Sequence, residues 1–101
     1  MDDIQIVTEF KKKAQEAYPG TKVYFYGSRV SRTNRDDSDY DVLVILDEVN
    51  PVIRDNVYDI AWEVGFKYDA MISPVLAGKE EFVRLTGSPF FSNVKQNGLI
   101  L

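Results

Sequence analysis

The chain has 101 residues, 45% hydrophobic and 13% aromatic, enough for one core and too few for two, so a single domain over residues 1–101 is expected. It has neither cysteine nor histidine, which excludes disulfides, thiolate or imidazole metal sites and a histidine general base, and leaves oxygen to hold any metal ion. A net charge of −4 argues against broad nucleic-acid binding, and with no apolar run near the ~20 residues of a membrane span and no basic-then-apolar leader, a soluble cytoplasmic protein is expected.

From about Asp3 to Tyr18, Ile6, Phe10, Ala14 and Ala17 recur at helical spacing, Lys11, Lys12, Lys13 and Glu16 fill the other face, and "YPG" ends the helix. "KVYFYG", Lys22 to Gly27, is rich in β-branched and aromatic residues and predicts a strand. A charged loop follows, and then "DYDVLVILD", Asp39 to Asp47, carries the strongest strand pattern. Asn50 and Pro51 form a helix start, Ile53, Val57, Ile60, Ala61 and Val64 an apolar stripe, and Gly65 a stop. Asp55, Asp59 and Glu63 read as that helix's solvated face. "FKYDAMISPV", Phe66 to Val75, predicts a third strand, "KEEFVRL" a short helix, and "PFFSNVKQNGLIL" a further helical turn with an apolar end. The aromatics Tyr24, Phe25, Tyr26, Tyr58 and Trp62 are expected in the core. Part of the set Phe90, Phe91, Val94, Leu99, Ile100 and Leu101 is expected to stay exposed as a docking surface.

The loop and the strand after it suggest chemistry. Side chains alternate along a strand, so Asp39 and Asp41 share a face with Tyr40 on the other. Two carboxylates this close repel, and a cation between them resolves the conflict. Mg²⁺ takes one or two carboxylates together with phosphate oxygens and water. Upstream, Gly27 lets backbone approach a ligand, Ser28 offers a hydroxyl, and Arg29, Arg32 and Arg35 could contact phosphate oxygens. The bland alternative is that these arginines neutralise Asp36, Asp37, Asp39 and Asp41 on a surface turn, and the two uses are compatible. Asp37, Asp39, Asp41 and Glu48 also fall at calcium-loop positions, but Val42 stands where that loop needs glycine and the apolar run behind it cannot be a solvated loop.

Gly27-Ser28, ten residues, then Asp39-x-Asp41 resembles the signature of the DNA polymerase β-type nucleotidyltransferase superfamily, and "GSRVSRTNRDDSDYDVLV" resembles its small stand-alone members, the minimal nucleotidyltransferase (MNT) proteins. Thr33, Arg35, Asp37 and Ser38 fit the usual run between the two halves of the signature. The resemblance implies an α/β (α+β) fold, a mixed sheet of three to five strands packed against helices. It implies nucleotide contacts from Gly27, Ser28, Arg29, Arg35 and Ser38. It also implies a third carboxylate on an adjacent strand, for which Asp69 is the candidate, and two Mg²⁺ ions held by Asp39, Asp41 and Asp69 as the catalytic set. The implied reaction is transfer of a nucleoside monophosphate, AMP from ATP, to a hydroxyl. A tyrosine of a HEPN-domain toxin partner is the implied acceptor, with the chain acting as antitoxin. The alternative is a catalytically weak or inert module that neutralises a partner by contact.

Overall fold

In the computed structural model, residues 2–31 and 38–101 are described, and all structural statements concern them. The two long helices start on caps written in the sequence. In α1, Asp3–Ala17, the Asp2 carboxylate accepts the Gln5 N–H at 2.9 Å while the Gln5 side chain accepts the Asp2 N–H at 3.1 Å, a reciprocal capping box. In α3, Pro51–Tyr68, the Asn50 side chain accepts the Ile53 N–H at 2.9 Å and Pro51 takes the first helical position, where its missing N–H is no loss.

Between them lie β1, Lys22–Tyr26, the four-residue helix α2, Ser28–Ser31, and β2, Tyr40–Leu46. After α3 come β3, Ile72–Gly78, α4, Lys79–Arg84, α5, Pro89–Asn97, and the two-residue β4, Leu99–Ile100. The strands form one mixed sheet in the order β3-β2-β1-β4. β1 is antiparallel to both β2 and β4, whereas β2 and β3, joined through α3, run parallel. This is the α+β arrangement expected from the sequence.

Alternation sorts β2 onto two cores. Tyr40, Val42, Val44 and Leu46 join Val23, Phe25 and Ile72 against Ile6, Val7 and Phe10 of α1 and Val57, Ala61 and Val64 of α3. Leu43 and Ile45 face the other way, with Ala77 and Val94, and are covered by Tyr24, Tyr26, Phe82 and Phe91. The strand is therefore buried on both faces except at its start, where Asp41 is only half-buried.

Two expectations need correction. α3 does not stop at Gly65, which is buried within it; the left-handed residue is Asp69, at φ 52°. The Ala70 N–H donates to the Gly65 carbonyl at 2.8 Å and the Asp69 N–H to Phe66 at 3.5 Å, the paired bonds of a Schellman end. A Cβ on Gly65 would overlap the Ala70 carbonyl, so glycine serves a close approach here and not the turn. Phe66 to Tyr68 are consequently helical, and the third strand begins at Ile72. Second, Tyr58 and Trp62 are not core residues; Trp62 is 69% exposed. The C-terminal tail is in part exposed, as expected: Phe90, Leu99 and Ile100 keep exposed surface, while Leu99 and Ile100 pair with β1, Val94 is buried and Leu101 packs on the first core.

Candidate active site

The site forms where β1 ends and β2 begins. Gly27 closes β1 with φ +89°, and its carbonyl accepts the N–H groups of Val30 and Ser31, both at 3.1 Å, to start α2. That backbone region favours glycine, and packing makes a second demand for it: a Cβ built on Gly27 would overlap the Asp41 carboxylate. Gly27 thus lies directly against Asp41. Ser28 opens α2 half-buried, its carbonyl accepting the Ser31 hydroxyl at 3.2 Å.

Asp41 is the second residue of β2, flanked in register by Tyr26 on β1 and Ser73 on β3. Asp39 immediately precedes the strand, and its Oδ2 accepts the Ser73 hydroxyl at 2.9 Å. Burial, and then the charge of Asp39, push the Asp41 carboxyl above its ordinary value. The two acids therefore sense each other, as alternation requires. The Tyr26 phenol is raised in turn by burial and by the Asp41 charge.

Tyr40, between the acids, points to the α1 side. Its hydroxyl donates to Asp3 at 3.0 Å, and burial followed by that hydrogen bond raises its pKa. Over its ring, 4.0 Å from the centroid, lies the Arg29 guanidinium. Arg29 Nε donates to the Ser38 carbonyl at 2.7 Å and Nη1 to the two Asp3 oxygens at 3.1 and 3.2 Å, with the side chain only 10% exposed. An arginine expected on phosphate is here committed to protein groups. It fastens Ser38, the residue before Asp39, to the first turn of α1.

Arg35, together with Arg32, Thr33, Asp36 and Asp37, lies outside the described residues. Asp69 is described, and it caps α3 instead of standing on a strand. Among the described residues, no three His, Cys, Asp or Glu side chains gather so as to hold a metal ion, so Asp39, Asp41 and Asp69 do not form the expected trio. The Schellman reversal is the physical reason, because it places Asp69 before β3, and the β3 residue beside the acids is Ser73. Ser73, Tyr40 and Asp3 are site residues that the sequence reading missed. A lone polar side chain among apolar strand neighbours was the only local signal for Ser73.

Two recesses border the site. One, of about 830 Å³, runs from Arg29, Ser38, Tyr40 and Ser73 to Tyr58, Trp62, Phe66, Asp69 and Met71. The other, of about 420 Å³, lies between Gly27 with α2 and Asn93, Val94 and Asn97 of α5, on the side of the sheet that Tyr26 shares with Asp41.

Paired acids at the mouth of a central strand, with an open glycine turn against them, suit a protein that handles phosphate esters through a bound cation. Comparison with protein families makes the class specific: the family described as "Nucleotidyltransferase domain" matches residues 7–91, and the chain belongs to that family. It is a transferase by class, with a nucleoside triphosphate as its substrate. Comparison with curated proteins and with solved structures gave no match.

Proposed function

We propose that this domain transfers AMP from ATP to a hydroxyl acceptor, with Asp39 and Asp41 as the catalytic acids that hold Mg²⁺. The observation that supports the reading is the contact of Gly27 with Asp41, because a triphosphate drawn close to the Gly27 backbone would meet there an acid able to share a cation with it. The donor set fits Mg²⁺: two carboxylates near enough to disfavour joint ionisation, one of them exposed, leave coordination positions for phosphate and water. When bound, the ion neutralises charge on the triphosphate and on the leaving pyrophosphate.

The remaining work falls to the chain. Gly27 admits the triphosphate close to backbone, and Ser28 offers a hydroxyl to it. Ser73 fixes Asp39 through the 2.9 Å hydrogen bond. Arg29 is a positioning residue that holds Ser38 in place, which leaves Arg32 and Arg35 as the arginines for phosphate. The recess beside Gly27 has room for the nucleoside. As acceptor we favour a tyrosine of a HEPN-domain partner that the chain restrains as an antitoxin; the support is resemblance to stand-alone MNT proteins.

The test is mass spectrometry of a co-purified partner after incubation with ATP and Mg²⁺. An added AMP that appears with the native chain and not with Asp41→Asn supports the reading. One observation favours a second reading, a module that silences its partner by contact: the described acids at the site are two, not three. In that case no AMP is transferred, and Asp39→Asn leaves partner neutralisation intact.

A further inference from the structure

Three of the largest side chains on α3 face away from both cores. Tyr58, Trp62 and Phe66 recur every four residues, which stacks them along one side of the helix, and they are 45%, 69% and 76% exposed. The Trp62 and Phe66 rings stack with centroids 5.2 Å apart. Met71, 64% exposed, extends the strip beyond the helix end, and the whole strip walls the larger cleft. Single exposed apolar residues need no explanation, but a contiguous strip of four large ones marks an interaction surface.

Charge identifies the occupant. At about 100° per residue, Asp55 and Asp59 lie within roughly 60° of Trp62 around the helix, and Glu63 lies about 100° away. Asp69 closes the strip at its end. The nearby cations are engaged: Arg54 approaches Asp55 at 3.9 Å, and Lys67 pairs with Glu9 at 3.1 Å. Among the described residues Asp59, Glu63 and Asp69 have no ion pair, which leaves an aromatic strip bordered by uncompensated acid. A second copy would set acid against acid, and the chain already carries a net charge of −4. A small cation would answer one acid only, whereas these acids span about 21 Å of helix axis from Asp55 to Asp69.

We propose that this face of α3 docks a partner polypeptide segment whose apolar side chains are flanked by lysine or arginine. Apolar groups of the segment cover Trp62 and Phe66, its cations meet Asp59, Glu63 and Asp69, and guanidinium or ammonium groups also find the aromatic ring faces. The proposal stands independently of nucleotidyl transfer.

Trp62 is the sole tryptophan, so its fluorescence reads occupancy directly. The full chain is titrated with an amphipathic Leu/Lys peptide and, separately, with a Leu/Glu peptide of equal length. The expected result is a saturable blue shift with Leu/Lys alone, weakened at least about tenfold by Phe66→Ala, by Asp59→Asn with Glu63→Gln, and by raising salt from about 50 to about 500 mM. Asp39→Asn should bind the peptide as the native chain does, whatever its effect on transfer. Equal response to both peptides, no response to either, or a Leu/Lys response that Phe66→Ala leaves unchanged overturns the proposal. So does self-association in sedimentation that Trp62→Ala abolishes, since a second copy would then own the face.

Discussion

At Gly27 a backbone at φ +89° and contact with the Asp41 carboxylate exclude a side chain for separate reasons. Gly27→Ala should therefore lower stability by about 1–2 kcal/mol from the backbone alone, and should also weaken Mg²⁺-dependent ATP binding by displacing Asp41; thermal unfolding and ATP titration measure the two effects. Asp41 itself has a folded pKa raised above 3.8 by burial and by Asp39. The folded protein then binds the proton more tightly than the unfolded chain does. Stability of the Mg²⁺-free protein is consequently lost as pH rises from the unfolded value through the folded one, and the deficit persists at neutral pH. Asp41→Asn should raise the Tm near pH 7, with the gain vanishing below pH 3.8, while transfer drops by about 10²–10³. The Arg29–Asp3 pair predicts a third outcome. With Arg29 only 10% exposed and its fork on Asp3, a double-mutant cycle of Arg29→Lys and Asp3→Asn should give a coupling of about 1–2 kcal/mol in denaturant unfolding. A coupling near zero would return Arg29 to the role of a phosphate ligand.

The end of α3 separates a structural aspartate from a chemical one. Asp69 holds a left-handed conformation at φ 52° that glycine adopts more readily, so Asp69→Gly should stabilise the domain by about 0.5–1 kcal/mol, a Tm gain of several degrees. Unchanged transfer in that variant makes Asp69 a helix cap; lost transfer makes it part of the chemistry. The same helix end shows where sequence reading fails. Gly65 looks like a stop because glycine commonly ends helices, yet its missing side chain makes room for the Ala70 carbonyl and another residue takes the left-handed turn. β2 was legible because an apolar run bounded by acids has few other uses, and alternation alone set Asp39 and Asp41 on one side. Ser73 was not legible as their partner, because its alignment with Asp41 is a register between strands separated by an 18-residue helix. β4 is two residues long and carries no periodicity to detect. Trp62 was misplaced because it adjoins the buried Ala61 in sequence, and one residue rotates a helical side chain by about 100°.

Across the whole molecule, the sheet ends on β3, a strand containing Pro74, which offers no N–H to an added strand. Strand addition at that edge is thereby disfavoured, which accords with the proposal that a partner docks on side chains of α3. Among the described residues, the side-chain hydrogen bond of longest sequence separation at the site is that of Asp3 with Tyr40, and Asp3, in the first turn of α1, also binds Arg29. Helix ends are the places where native proteins open first, and this one is kept closed by the Asp2–Gln5 box. Opening of that single turn would release Asp3 from Arg29 and Tyr40, the groups beside the acids. Asp2→Ala, a change far from the strand in sequence but worth about 1 kcal/mol at the cap, should speed amide exchange at Tyr40, whose N–H donates to Met71 at 2.8 Å. The start of β2 is in this sense tied to the first turn of α1.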